Sequence, residues 1–447
     1  MSDVFDDNTA SWLVDAAADE PAPALARDVD VDVAIIGGGF TGVSTAYRLS
    51  RRFPELGIAL LEARRLANGA SGRNGGLVLN GISAHDDNPD LMVREHAVTN
   101  GGIDAIEALI REHQLKVRWK RNGCLHLATS AKAAEAAHAL TEQLAARGMP
   151  LRFLRGGDLD EHLRARGAHG AVLDPGEGVL NGVDLIRAMR PLLVAGGVQI
   201  YESTPVVRVR EGKVCELVTP GGVVRARAIV LATSGYTPRL GYFRTGLLPV
   251  ISHVVATDPL PPELLAATGL GKTGGFFDDS PRLAYASVDP GGRLVFGGGT
   301  TAAYAYRFGN RTAYDARRED GGERAVRASL LRYLPELASY PIRHRWSGPL
   351  DLTLVRHCAI GVMGAHDNVY YAVGYSGHGI TLANLAGQVL TDLYAGNHDP
   401  WRDCAFYMRR PSGIPPEPFR WVGYQLYTRL TGGSPWKRPL AGGDAVR

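Results

Sequence analysis

Apolar positions along this chain change rhythm from one segment to the next. Residues 31–36 are apolar almost throughout and read as a buried parallel strand. Residues 41–53 carry apolar side chains at helical spacing and stop at Pro54. Ile58–Leu61 is a second short apolar strand. Helical spacing returns over 88–113 and 131–147, separated by a strand over 124–128 that follows an Asn122-Gly123 turn. A helix over 182–196 contains Pro191, so a kink or early stop is expected there. From 204 to 233 the pattern becomes strands at 206–210, 214–219, 223–227 and 229–233, with Gly221-Gly222 as a hairpin turn. The last of these is wholly apolar and ends in small residues, which suits a buried strand that stops beside a ligand. Strands near 249–257, 283–288 and 293–298, with helices near 261–268 and 317–333, suggest a second, mostly antiparallel sheet. A final strand at 369–374 runs through a glycine-rich turn into a helix at 377–395.

The first strand, turn and helix carry chemistry. Gly37, Gly39 and Gly42 fill G-x-G-x-x-G, with Phe40 and Thr41 between the last two. The first glycine permits a tight turn, the second lets the backbone approach a pyrophosphate, and the third lets helix and strand pack closely. The pyrophosphate then lies at a helix N-terminus, whose free N–H groups favour anions. Glu62 follows Gly42 by twenty residues, where an acid meets a ribose hydroxyl, with Ala63 and Arg64 beside it. The competing reading is an incidental turn in a chain with 55 glycines. Strand, turn, helix and acid agreeing with one another argues against it.

Composition narrows the class. The 447 residues suffice for two domains, and the 45% hydrophobic and 21% charged fractions are those of an ordinary globular protein. A net charge of +3, spread over interleaved arginines and acids, gives no footprint for nucleic acid. Cys124, Cys215, Cys358 and Cys404 form no C-x-x-C, so no zinc or redox pair is expected. With no apolar leader and no membrane span, a cytoplasmic protein is expected. Residues 1–30 read as a surface arm. The apolar-aromatic stretch 419–430 reads as a helix packed on its own domain or as an interface in a homo-oligomer.

Three motifs together resemble one family: the early glycine turn, Gly-Ala-Ser-Gly-Arg-Asn-Gly-Gly at 69–76, and Gly-Tyr-Ser-Gly-His-Gly-Ile at 374–380. Their order and wording are similar to the FAD-dependent D-amino-acid oxidase superfamily, which includes sarcosine and glycine oxidases, and most similar to its γ-glutamylputrescine oxidoreductase-like branch. The resemblance runs from about Val31 to Tyr394, and 415–427 also resembles that branch. It implies an α/β fold: a Rossmann-like FAD-binding domain of the glutathione-reductase type with an inserted, mainly antiparallel α+β substrate domain. The expected divisions are 31–90, 145–248 and 340–396 for FAD, 91–144 and 249–339 for substrate, and 397–447 as a C-terminal appendage.

By this resemblance Ser71, Arg73, Asn74, Gly75 and Gly76 run beside the flavin, with Arg73 able to donate to phosphate or ring oxygens. Val206 and Val207 either contact adenine or pack in the core, and Thr233 and Gly235 end a strand near the diphosphate. Gly374, Ser376, Gly377, His378, Gly379 and Ile380 start a helix facing the flavin pyrimidine, where donors stabilise negative charge. His378 is either a further donor or a spacer. The strand around Gly348 has no cysteine where sarcosine-oxidase-like relatives attach flavin, so FAD is expected to be non-covalent. The strand 293–297 lacks the lysine that aids those relatives' reaction with oxygen, so oxygen or another electron acceptor remains open.

The implied reaction is hydride transfer from a carbon next to an amine nitrogen to flavin N5, leaving an imine that water hydrolyses to a carbonyl and a free amine. The expected catalytic residues are His253 and Tyr285 on middle-domain strands, with Tyr285 sharing a strand face with Leu283 and Ser287, and His378 at the late helix start. An acidic substrate end needs a cation, and Arg282, Arg293 and Arg307, then Arg121 and Arg244, are the candidates. Oxidation of a hydroxy group and a flavin-binding subunit of a larger complex remain as other readings.

Overall fold

The computed structural model describes residues 10–14, 16, 19–81, 88–312, 316–411 and 413–431. The rest of the expected arm and of the C-terminal appendage lies outside the described residues.

Two large sheets organise the chain. In the eight-stranded sheet, Val29–Ile36 runs parallel to Ile58–Leu61 on one side and to Gly222–Leu231 on the other. Its last four residues are buried, as expected for a strand covered on both faces. Helices Phe40–Arg52 and Gly379–Tyr394 pack together over it. Ser44 Oγ donates to the Asn384 carbonyl at 2.7 Å. A Cβ on Gly387 would sit 2.2 Å from that hydroxyl, so these helices meet at their closest where a side chain is missing.

The runs expected separately at 223–227 and 229–233 form one strand, Gly222–Leu231. Its first half alternates in burial against Cys215–Thr219, while its second half lies between parallel neighbours and is buried throughout. A single strand that moves from one environment to the other shows two hydrophobic rhythms. Strand structure begins at Arg208, not 206. The helix at 182–196 divides into Gly182–Ala188 and Arg190–Ala195, with Pro191 in the first turn of the second, where its missing N–H is harmless.

The nine-stranded sheet runs Tyr304–Tyr306, Leu248–Pro259, Arg293–Gly298, Ala284–Val288, Gly275–Asp278, Cys124–Ala128, Gly170–Asp174, Arg152–Leu154, with Ile342–Leu352 also paired to Leu248–Pro259. Every pair is antiparallel except Gly275–Asp278 with Cys124–Ala128. Pairing therefore redraws the expected divisions. Arg152–Leu154, Gly170–Asp174 and Ile342–Leu352 belong to this sheet, although 145–248 and 340–396 were assigned to the cofactor domain.

The N-terminal arm is buried at residues 10–12, whereas most of residues 20–30 lie at the surface as expected. Ser11–Val14 is helical, Ala10 and Trp12 are buried, and Trp12 Nε1 donates to the Asn74 carbonyl at 2.8 Å. A Cβ on Gly76 would lie 3.0 Å from the Trp12 ring. The arm thus braces the 69–76 loop.

Candidate cofactor and active site

A cavity of about 560 Å3 runs between the two sheets. One end lies over the glycine turn. Gly37 has φ +112°, and a Cβ there would stand 2.4 Å from the Ala232 carbonyl oxygen. A Cβ on Gly42 would stand 1.9 Å from the Gly37 carbonyl oxygen. Only glycine allows this turn and this approach. The N-terminus of helix Phe40–Arg52 opens into the cavity, with Gly37, Gly39, Phe40 and Thr41 among the lining. Ser71 Oγ accepts the Phe40 N–H at 3.0 Å, which anchors the 69–76 loop to that helix start.

Glu62, Ala63, Arg64, Val206, Val207 and Thr233 line the same end. Glu62 Oε2 accepts the Gly38 N–H at 2.7 Å and Oε1 the Arg64 N–H at 2.9 Å. Burial raises the Glu62 pKa against those two donors, and the nearby Glu202 carboxylate adds to the rise.

Further along, Ser71, Arg73, Asn74, Gly75 and Gly348 form one wall. Arg73 Nε donates to the Asn68 carbonyl and Nη1 to the Ser347 carbonyl, both at 2.9 Å. These bonds use two of the donors that the expected role toward phosphate or ring oxygens calls on, and they make Arg73 a brace between loop and strand. A Cβ on Gly348 would lie 3.0 Å from Arg73 Cδ, so the glycine makes room for the arginine stem. Asn74 Oδ1 accepts the Gly76 N–H at 2.8 Å, and Nδ2 donates to the Ser71 carbonyl at 2.8 Å. Asn74 therefore holds the turn.

The opposite wall is the start of helix Gly379–Tyr394, where Ser376, Gly377, His378, Gly379 and Ile380 reach the cavity. Ser376 (φ +52°) and Gly377 (φ +103°) turn the chain so that the helix begins at the cavity. Gly374 supports this from behind: its N–H goes to Asp351 Oδ2 at 2.7 Å. Burial pushes Asp351 up to about 6, against the donors on its carboxylate.

The substrate-side face comes from the nine-stranded sheet. Tyr285 lies between two glycines, since a Cβ on Gly75 would approach its ring to 2.6 Å and one on Gly297 to 2.2 Å. Its hydroxyl is 3.3 Å from Ser252 Oγ, and burial pushes its pKa up to about 12. It is a neutral phenol at physiological pH, suited to donating a hydrogen bond and not to acting as a base. Tyr304 donates to the Leu283 carbonyl at 2.8 Å. Phe277, Leu283, Leu352, Tyr424 and Arg356 complete this part of the lining. Arg356 Nη2 donates to the Ser376 carbonyl at 3.4 Å, and burial lowers its pKa without discharging it.

Comparison with known proteins agrees with this cradle. Residues 32–393 match the family model DAO, "FAD dependent oxidoreductase". The chain belongs to this family. It is 28% identical to the γ-glutamylputrescine oxidoreductase of Escherichia coli over 408 residues, covering 88% of this chain and 90% of that protein. It is also 28% identical to the probable oxidoreductase OrdL of Haemophilus influenzae over 412 residues, with the same coverage of 88% and 90%. A crystal structure of glycine oxidase from Geobacillus kaustophilus superposes with a TM-score of 0.72 at 23% identity, covering 86% of this chain and all of that one. The fold is thus the expected Rossmann-like FAD domain joined to a mainly antiparallel substrate domain. In this FAD-dependent oxidoreductase no cysteine is among the described residues lining the cavity.

Several sequence-read residues take other places. His253 does not line the cavity. Successive residues of Leu248–Pro259 face opposite sides, so Ser252 faces the cavity while His253 turns to helix Ala316–Tyr333. There its ring lies against Gly322 and Nδ1 is 3.0 Å from the Ala303 carbonyl. Gly76, Gly235 and Gly374 also lie outside the lining: Gly76 packs on Trp12, Gly235 on Pro349 and Leu350, and Gly374 on Thr353. Gly42 acts behind the lining, as helix packing demands. None of the five candidate arginines lines the cavity. Arg121 pairs with Asp104 at 2.6 Å, and Arg282 Nη2 donates to the Thr428 carbonyl at 3.2 Å. The arginines that do line it are Arg64, Arg73, Arg239 and Arg356, and of these Arg356 sits in a turn with φ +57° that no periodicity marks in the sequence.

Proposed function

We propose that the chain oxidises the C–N bond of a small primary or secondary amine or amino acid, giving an imine that hydrolyses to a carbonyl and a free amine. The observation that carries this reading is one continuous cavity. At one end it holds the glycine cradle and Glu62; at the other it holds the 376–380 helix start opposite a phenol-lined wall. Relatives whose names specify amine or amino-acid oxidation support it.

In this reading Gly37–Thr41 and Glu62 hold the cofactor's pyrophosphate and ribose, Val206 and Val207 its adenine, and the 71–75 and 376–380 segments its ring system. Bound FAD supplies the hydride acceptor. The protein's part is to place the amine against Tyr285, Tyr304 and Ser252, whose hydroxyls orient polar groups. The apolar walls from Phe277, Leu283 and Leu352 exclude water. The helix start at 377–380 faces the same cavity with His378 at its N-cap, whose own N–H is donated to the Tyr375 carbonyl, and the positive end of the helix favours an anionic partner there.

Arg356 sets the sign of the substrate side. Among the described lining residues the carboxylates are Glu62 and Asp351, both occupied by backbone N–H groups. A neutral or anionic group is therefore favoured at the end of the substrate away from the reacting amine, and a second ammonium is disfavoured.

The reading is tested by anaerobic mixing of the FAD-loaded protein with sarcosine, glycine, D-amino acids, polyamine derivatives and aminophosphonates. The expected result is loss of the visible flavin band with one class of amine, and readmitted air then separates oxidase from dehydrogenase. The kcat/KM for that amine should rise with pH as its ammonium loses a proton, because the neutral amine is the reactive form. Bleaching by hydroxy acids alone would defeat the proposal.

A further inference from the structure

The tail helix Phe419–Thr431 is attached by the face that normally meets water. Arg420, Tyr424 and Thr428, spaced four residues apart, are buried. Arg420 donates through Nη1 to Asn310 Oδ1 and through Nε to the Pro415 carbonyl, both at 2.9 Å. Tyr424 lines the cavity and packs on Tyr306, with ring centroids 5.6 Å apart.

The opposite arc is apolar and open. Phe419, Val422, Leu426 and Leu430 fall on one stripe at helical spacing and are 69%, 44%, 52% and 82% exposed. Trp421 and Tyr427 flank the stripe and are also exposed. Two further exposed apolar segments lie beside the chain that leads into this helix. Exposed Phe308 adjoins Gly309, whose N–H donates to Glu417 Oε1 at 3.0 Å. The exposed Leu354-Val355 turn lies beside Gly413, with Leu354 Cδ2 3.3 Å from where that glycine's Cβ would be. A helix apolar on its outer arc and firmly bonded on its inner one is built to be covered on both sides.

Charge decides what covers it. Among the described residues from 413 to 431 the only carboxylate is Glu417, which is already engaged by the Tyr306 hydroxyl and by the N–H groups of Gly309 and Trp421. Exposed Arg429 stands at one end of the helix, and exposed Arg311 adjoins Asn310, the partner of Arg420. Two copies apposed antiparallel along this helix would bring Arg429 to the partner's positive helix N-terminus, with no available carboxylate among the described residues 413–431 to offset it. An anionic surface meets both the apolar arc and its arginines.

We propose that this face docks the protein on a lipid surface carrying anionic headgroups, with the tail helix lying in the plane of the interface. Phe419, Val422, Leu426 and Leu430 enter the acyl boundary, while Trp421 and Tyr427 sit at headgroup level. Attachment is peripheral, because no helix among the described residues is long and apolar enough to cross a membrane. Tyr424 on the inner face then lies one helix thickness, about 10 Å, from the lipid.

The test is flotation of the full-length FAD-loaded protein with phosphatidylcholine vesicles made with and without phosphatidylglycerol. The protein is expected to float with the anionic vesicles and to stay behind with the neutral ones. A Leu426→Glu/Leu430→Glu variant should lose at least about tenfold in partitioning while its bound flavin absorption stays unchanged. Should that variant fail to fold, Arg429→Glu serves instead, weakening binding to anionic vesicles and leaving FAD binding intact. The proposal is overturned if the protein ignores anionic vesicles. It is equally overturned if the protein is a dimer in solution that the leucine variant turns into a monomer, for then a second copy covers this face.

Discussion

The hydroxyl of Tyr375 and Oγ1 of Thr41 lie 2.6 Å apart, buried, and join residues 334 positions apart in the chain. Thr41 is in the first turn of the helix after the glycine motif, and Tyr375 belongs to the turn that starts helix Gly379–Tyr394. This bond fixes the two helix starts that face the cavity against each other. Tyr375→Phe leaves the Thr41 hydroxyl without this partner and should cost about 1–2 kcal/mol of stability. Weaker FAD retention should accompany it, measured by flavin fluorescence on dilution. Adding Thr41→Val removes the orphaned hydroxyl and should recover part of the lost stability.

Trp12 carries a similar load from the other side of the loop. It is 2% exposed and bonded to the Asn74 carbonyl. Trp12→Ala should destabilise the protein by about 3–5 kcal/mol. Because the loop it braces also lines the cavity, FAD release should begin below the temperature of global unfolding. Flavin fluorescence followed beside circular dichroism during heating checks this. A surface arm would give neither effect.

Arg356 and His253 should separate in kinetics. Arg356→Gln should raise KM for an amine with a carboxylate by about 10–100-fold, the cost of one charged contact, with a smaller change in kcat. An uncharged amine of the same size should be nearly indifferent. His253→Ala, behind the strand, should lower Tm and leave kcat/KM close to that of the parent protein. Steady-state kinetics on a pair of matched substrates decides both.

Asp351 predicts a pH dependence of stability. Burial lifts its pKa from the usual 3.8 to about 6, so the folded state binds this proton more tightly than the unfolded chain does. Its contribution is fully present below the unfolded value and is lost as pH rises through the folded one. The window is therefore about pH 4 to 6, and the shift corresponds to about 3 kcal/mol. Denaturant titrations across that range should show the parent losing stability relative to Asp351→Asn as pH rises, because the amide is a neutral stand-in for the protonated acid and does not titrate.

Local chemistry was legible in the sequence because it is local. The glycine spacing at 37–42, the acid at 62 and the late Ser-Gly-His-Gly turn act through backbone geometry and short-range chain direction, so neighbouring residues suffice to mark them. Tertiary pairing settled the rest. Whether Ser252 or His253 meets the cavity is a one-residue question of strand parity, fixed by the sheet's orientation and not by either residue's chemistry. Arg356 enters the cavity from a turn without periodicity, and Arg73 spends donors on carbonyls supplied by distant segments. Strands 152–154, 170–174 and 342–352 join the substrate sheet because of which edges were open to them. Hydrophobic rhythm along a chain reports which faces will be buried, but what they are buried against is decided only when segments far apart in sequence meet.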